Sequence, residues 1–141
     1  MSLNILFICE GNAEVYLLYK ILKEEFNCEI EEKILKNDRN LNMEEIKQFT
    51  LLGKVNNNNI YIGNIRGVSK LNSAYVTELI ENPRFYKLDK ILFIMDADYR
   101  ENNESGFIRM EKSIVDIIKK IQETRNIKLI ILFLQIIEMM E

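Results

Sequence analysis

Three acidic residues follow two similar apolar segments. Glu10 comes directly after residues 3–9 (LNILFIC), and Asp96 and Asp98 come directly after residues 90–95 (KILFIM). Carboxylates that are grouped together repel one another, and a divalent cation is the simplest compensation. Mg²⁺ takes oxygen ligands and needs only one or two protein carboxylates. The three acids therefore predict a magnesium or manganese site, although each motif alone is also typical of a solvated turn.

Both apolar segments have the continuous hydrophobicity of strands that are buried on both faces of a sheet. Further strands are predicted at residues 28–35, at the sheet edge, and at 60–65 and 127–134. Helical periodicity predicts helices at residues 13–26, at 43–52 after an Asn42 cap, from a Ser69 cap to near Pro83, and from Phe107 to Ile121. The asparagine run 56–59 is predicted to be a loop.

Strands that alternate with helices favour a parallel sheet. We therefore expect one α/β domain over residues 1–141, a three-layer Rossmann-like fold with a mostly parallel central sheet. Ligands of such folds bind beyond the carboxyl ends of the strands. Glu10, Asp96 and Asp98 are expected to meet at that edge.

At these residues the chain resembles a known family. Residues 5–14 (ILFICEGNAE) and 91–98 (ILFIMDAD) resemble the two motifs of Toprim domains. The similarity is greatest to small stand-alone Toprim-like proteins of unknown function, related to the Toprim part of overcoming-lysogenization-defect nucleases. The resemblance implies that Asp96 and Asp98 bind metal and that Glu10 is a metal ligand or a general acid–base group.

Two other positions bear on the resemblance. Glu14 matches a second acid of the nuclease branch, which would add it to the metal ligands, but an exposed acid in the first helical turn is equally typical. Where topoisomerases carry a third acid, this chain has Arg100. This departure argues against topoisomerase-like activity.

A possible phosphate cradle lies in residues 63–67 (GNIRG), with Arg66, Gly67 and Lys70 as candidate contacts. It lacks the Gly-Lys-Ser/Thr ending of a P-loop, and a plain strand-end turn is the alternative. A local basic face remains possible, and its candidate residues are Lys33, Lys36, Arg39, Lys54, Arg66 and Lys70.

The composition excludes several classes of chemistry. The chain has no histidine, which removes Ser-His-Asp and Cys-His catalysis and the usual zinc sites. Its two cysteines are too few for a disulfide framework, and Cys9 is predicted to be a buried strand thiol. No apolar stretch approaches the ~18 residues of a membrane span. We expect a cytoplasmic protein that does not bind membranes.

Two functions remain open from the sequence. The first is Mg²⁺- or Mn²⁺-dependent phosphodiester chemistry on nucleic acid, as in a nuclease-type Toprim enzyme. The second is a non-catalytic Toprim-like module that binds a partner such as an ATPase. The net charge of −3 argues against binding nucleic acid by bulk electrostatics.

The last residues, 135–141, differ from the end of a natural domain. The resembling family continues with a Pro-Asn-Asn-x-x-Asp-Gly turn, which is missing here. The codons of Met139, Met140 and Glu141, read one base earlier, contain Asp-Gly. We therefore expect a truncation or frameshift at about 135–141, an incomplete metal site and self-association through the apolar final strand.

Overall fold

The computed structural model describes residues 2–37, 39–67, 70–96 and 104–134. For 96, 104–113 and 131–134 it describes the backbone alone. Within these ranges the strands are β1 Asn4–Cys9, β2 Glu29–Ile30, β3 Thr50–Val55, β4 Asn58–Asn64, β5 Lys90–Asp96 and β6 Lys128–Leu134. The α-helices are α1 Asn12–Phe26, α2 Ser73–Glu81 and α3 Glu104–Thr124, and 3₁₀ helices span Glu32–Ile34, Met43–Glu45 and Pro83–Lys87.

All six described strands form one mixed sheet in the order β2-β3-β4-β1-β5-β6. β4, β1, β5 and β6 run parallel. At one side of the sheet β3 pairs antiparallel with β4, and β2 pairs antiparallel with β3. β1 lies between β4 and β5, and its last residue, Cys9, is level with Asn64 and Ile94. The predicted α/β fold with a mostly parallel sheet is confirmed.

Apolar side chains cover both faces of this sheet, because alternate residues of a strand point to opposite sides. On one face the core contains Cys9, Val15, Leu18, Leu22, Ile62 and Ile94, so α1 covers that face. On the other face it contains Leu6, Ile8, Phe93, Val76, Leu79, Ile114 and Ile121, so α2 and α3 cover that one. The arrangement has three layers, as in Rossmann-like folds.

The prediction of a helix at residues 43–52 is wrong. Only Met43–Glu45 is helical, as a 3₁₀ turn, and the Asn42 side chain makes no capping hydrogen bond. β3 follows and pairs with β4 as a hairpin. Asn56 takes the left-handed conformation that tight hairpin turns need, at φ 54°. The predicted loop 56–59 is therefore shorter, because β4 already begins at Asn58.

Three smaller predictions also need correction. The edge strand at 28–35 is reduced to Glu29–Ile30 and is followed by a 3₁₀ helix. The cap of α2 is Asn72, whose Oδ1 accepts from the Tyr75 amide at 3.1 Å, and Ser69 lies outside the described residues. The helix predicted at residues 13–26 is not buried up to its last apolar residue: Phe26 is 55% exposed, because α1 ends there and Asn27 forms a left-handed cap.

The final strand prediction is confirmed by β6, which pairs with β5 along its whole length. Residues 135–141, where the frameshift hypothesis falls, lie outside the described residues. None of the helices in the described part of the chain has the length and apolar character needed to cross a membrane.

Candidate functional site

The ends of β1 and β5 lie side by side at the carboxyl edge of the sheet. The Glu10 amide donates to the carbonyl of Ile94 at 3.1 Å, so the chain after β1 stays bonded to β5. Asp96, the last residue of β5, is only two positions further along. The backbone therefore brings Glu10 and Asp96 to neighbouring strand ends. Asp98 lies outside the described residues, and only the backbone of Asp96 is described.

The chain leaves these two strands toward opposite faces. After β1 it enters α1 on one face, and after β5 it enters α3 on the other. Such a topological switch point opens a crevice between adjacent strand ends, where open α/β sheets bind their ligands. Glu10 and Asp96 lie on the two sides of this point.

The turn after β4 is also part of this corner. The Ile65 amide donates to Cys9 O at 2.9 Å, and the Gly67 amide donates to Glu10 O at 2.8 Å. Lys70 continues the turn, with its amide donating to Gly67 O at 3.0 Å. The predicted phosphate residues Arg66, Gly67 and Lys70 are therefore on the chain segment that borders Glu10, and both basic side chains are exposed.

A buried asparagine shapes the turn. Asn64 Oδ1 accepts from the Arg66 amide at 3.1 Å, and Asn64 Nδ2 donates to Asn12 Oδ1 at 2.9 Å. These bonds support a backbone with φ 57° at Arg66 and 125° at Gly67, which an L side chain at position 67 would strain. Sequence reasoning missed both asparagines, although a polar residue closing the apolar strand β4 was a usable signal.

The phosphate-cradle prediction changes in its details. The amides of Arg66 and Gly67 already donate within the protein, so phosphate contacts from this turn fall to the Arg66 guanidinium and the Lys70 ammonium. Gly63 has a packing role instead. It lies inside β4, where the Gln48 carbonyl occupies the space that a side chain would need.

Arg66 extends away from β5. Its Nη2 donates to the Met43 carbonyl at 3.0 Å, which links the β4 turn to the 3₁₀ helix before β3. Between them is an open depression of about 550 Å³, lined by Gly11, Asn12, Met43, Glu44 and Arg66. One cation and one acid therefore face the same solvent-filled space beside the start of α1.

Glu14 is not the exposed helix acid of the alternative interpretation. It is only 5% exposed, and its Oε1 lies 3.7 Å from the place that a Cβ on Gly11 would take. Burial, and secondly the Glu14 carboxylate, raise the pKa of the Cys9 thiol far above its usual range. The carboxylate of Glu14 thus lies near Gly11 and Cys9, at the end of β1.

Neither cysteine is suited to nucleophilic chemistry. Cys9 and Cys28 are buried free thiols. Burial, and secondly the charge of Glu29, raise the pKa of Cys28 to about 11. Because the thiolate is the reactive form, both residues are inert at neutral pH. The prediction that Cys9 is a buried strand thiol is confirmed.

A second cavity is almost entirely apolar. It encloses about 370 Å³ between α1 and the sheet, and its lining includes Phe7, Leu18, Ile21, Phe26 and Ile60. Glu14 lines it too and is the only ionisable residue to do so in the described part of the chain. Among the candidate site residues whose side chains are described, Glu14 alone lines this cavity, and Glu10, Arg66 and Lys70 lie outside it.

Among the side chains that the structure describes, no three Cys, Asp or Glu residues converge into a metal-binding group. The side chains of Asp96 and Asp98 are not in that set. The donors that remain, Glu10 and Glu14, are carboxylates and fit the oxygen preference of Mg²⁺ and Mn²⁺.

Comparisons of the chain with protein-family models, curated proteins and solved structures gave no match. The Toprim resemblance therefore rests on the two motifs at residues 5–14 and 91–98.

Proposed function

We propose that this chain is a Toprim-like domain that carries out Mg²⁺- or Mn²⁺-dependent phosphodiester chemistry on nucleic acid. The observation that carries the proposal is the position of Glu10 and Asp96. Glu10 directly follows β1 and Asp96 ends β5, and these two neighbouring parallel strands lead to helices on opposite faces of the sheet. Acids at that position fit a cation site far better than acids in unrelated loops.

Each residue has a distinct part in this proposal. Asp96 and Asp98 hold the metal ion, and Glu10 either completes its ligands or moves a proton of the attacking or leaving group. The buried Glu14 carboxylate is the fourth candidate ligand. When bound, the ion neutralises the charge that develops on the phosphate. Arg66 and Lys70 bind neighbouring phosphates and orient the strand.

A non-catalytic module that acts with a partner such as an ATPase is the second candidate. One structural observation favours it: the Arg66 guanidinium already donates to Met43 O and shares its depression with Glu44. Both features weaken the local attraction for phosphate. In this case the acidic corner would keep the domain folded or bind an ion without turnover.

A nuclease assay tests the proposal. Wild-type protein is incubated with supercoiled plasmid and with single-stranded DNA and RNA, in Mg²⁺, in Mn²⁺ and in EDTA. We expect metal-dependent nicking or cleavage that falls at least 100-fold in Glu10→Gln, which keeps the shape but loses the charge and basicity, in line with the ~10²–10⁴-fold worth of a general acid–base group. Glu24→Gln, on the exposed side of α1, is the matched control and should retain full activity.

Absence of turnover by folded wild-type protein on every substrate would contradict the enzyme and favour the binding module. Equal activity in Glu10→Gln and wild type would assign any observed cleavage to a contaminant.

A further inference from the structure

The depression beside Arg66 does not end at Glu44. A second open depression of about 490 Å³ adjoins it, and its lining includes Tyr16, Lys36, Asn40, Asn42 and again Met43 and Glu44. Met43 and Glu44 line both depressions, so the two adjoin one another and together make a surface trough. We call it the edge trough. It runs along the α1 side of the sheet's carboxyl edge, from Arg66 to Lys36.

We propose that the edge trough binds a single strand of nucleic acid that leads to the Glu10–Asp96 corner. This inference rests on the proposed function, since it takes nucleic acid as the ligand, and it adds the path and the strandedness of the substrate.

The walls of the trough are fixed by hydrogen bonds. Arg66 Nη2 donates a hydrogen bond to the Met43 carbonyl at 3.0 Å, and the Tyr16 hydroxyl donates one to the Leu41 carbonyl at 3.5 Å. Leu41 is buried and pairs with Leu35, which anchors the outer wall to the core. The trough is therefore part of the fold itself and is open without a ligand.

The side chains of the trough fit a single strand better than a duplex. Only two of the cations in the described chain line it, Lys36 and Arg66, and Glu44 offsets one of them. Duplex binding relies on neutralising many phosphates, which this charge balance does not supply. Unpaired bases offer stacking and free edges instead.

The trough provides partners both for the stacking of unpaired bases and for hydrogen bonds to their edges. The ring of Tyr16 lines it and is 37% exposed, so one face can stack on a base at little cost in stability. Amide groups of Asn12, Asn40 and Asn42 line the same space and can donate to or accept from base edges. Lys36 and Arg66 lie toward its opposite ends, where successive phosphates of a strand would pass.

Fluorescence anisotropy in EDTA, where the proposed chemistry is stopped, tests the trough directly. The probes are fluorescein-labelled oligothymidine, oligouridine and a hairpin duplex. We expect both single strands to bind more tightly than the duplex, and the ratio between them identifies DNA or RNA. Tyr16→Ala should weaken single-strand binding about tenfold, within the range for one stacked base, and Tyr16→Phe should restore it.

Matched controls separate this role from general effects. Tyr86→Ala removes a more exposed aromatic ring, on the side of α2 and α3, and should leave binding unchanged. Lys36→Gln should reduce the slope of log affinity against log salt by about 0.7, the value for one phosphate on a single strand, whereas Lys119→Gln on α3 should not. Circular dichroism confirms that each variant is folded.

The proposal is overturned if the duplex binds at least as tightly as the single strands, or if folded Tyr16→Ala and Lys36→Gln both bind like wild type. Other outcomes distinguish failure of the proposed nuclease reaction from failure of the trough. If Tyr16→Ala abolishes strand binding but no metal-dependent cleavage exists, the trough stands without the nuclease. If Glu10-dependent cleavage is unaffected by Tyr16→Ala and Lys36→Gln, the nuclease stands and the trough is wrong.

Discussion

The backbone amide of Glu10 donates to the carbonyl of Ile94 at 3.1 Å, two residues before Asp96. This bond extends the pairing of β1 and β5 by one step beyond Cys9 and Ile94. The distance between the two acidic motifs is therefore set by a rigid sheet, so charge changes at the acids should alter ion binding more than they alter the fold.

Asp96→Asn with Asp98→Asn should abolish Mn²⁺ binding, because the amides keep the shape but remove both anionic ligands. We expect weak, measurable binding by wild type in isothermal titration calorimetry and none by the double variant. Asp116→Asn, an exposed acid of α3, serves as the control and should bind like wild type. Equal Mn²⁺ uptake by the double variant would remove these aspartates from the site.

Gly63→Ala should destabilise the protein by about 1–3 kcal/mol, the range for overpacking a well-filled interior. The added methyl group would meet the Gln48 backbone carbonyl, which cannot move without disturbing β4. Gly11→Ala is the matched comparison, since the nearest atom to its new methyl group is Glu14 Oε1 at 3.7 Å. Urea unfolding followed by circular dichroism measures both, and a smaller loss at position 63 than at position 11 would contradict this packing role.

Tyr75→Phe should stabilise the protein by about 1 kcal/mol. The Tyr75 hydroxyl is buried and has no hydrogen-bond partner within the described residues. Burial, followed by the charges of Cys9 and Glu78, raises its pKa well above 10.0. Removing an unsatisfied hydroxyl while keeping the ring avoids its desolvation cost. A lower midpoint of thermal unfolding in Tyr75→Phe would show that the hydroxyl has a partner.

Alkaline pH should destabilise the fold from about pH 9 upward. An unfolded Cys28 thiol releases its proton near its ordinary pKa of 9.0, whereas the folded thiol keeps it until about 11. Between these values the unfolded state binds fewer protons, so the free energy of unfolding falls as pH rises. Cys9 acts in the same direction.

The measurement is urea unfolding between pH 7 and 11, in which Cys28→Ala should show a shallower alkaline loss than wild type. In native protein at pH 8, neither thiol should react with Ellman's reagent until urea is added. Rapid labelling of one thiol in the folded protein would contradict the burial that raises its pKa.

The local parts of this fold were predictable from the sequence. A run such as residues 3–9 is buried on both sides wherever it pairs, so β1, β5 and the acids at their ends followed from hydrophobicity alone. β3 did not, because Thr50–Val55 has no strong period of its own and becomes a strand through the Asn56 turn and its pairing with β4. Strand formation of this kind depends on a distant partner.

The candidate site divides in the same way. Acids at strand ends can be recognised in the sequence itself. The hydrogen bonds from Gly67 to Glu10 and from Asn64 to Asn12 cannot, because they join segments far apart in sequence. Glu14 had two equally typical interpretations, a metal ligand or an exposed acid of the first helical turn. The packing of α1 on the sheet buries it, which the sequence alone did not show. The position of Tyr16 in the edge trough likewise depends on segments distant in sequence, because Lys36, Asn40 and Met43 line the same depression.

The central place of β1 in the sheet also governs how the molecule is made. Asn4 of β1 bonds to Asn59 and to Asp89, which lie 55 and 85 residues further along the chain. Contacts of such long range slow folding, since the intervening chain must be closed into loops first. β1 therefore cannot complete its pairing in the sheet until β5 has been synthesised. Glu10 and Asp96 come to neighbouring strand ends only at that late step, so a folding intermediate without β5 lacks this corner of the sheet.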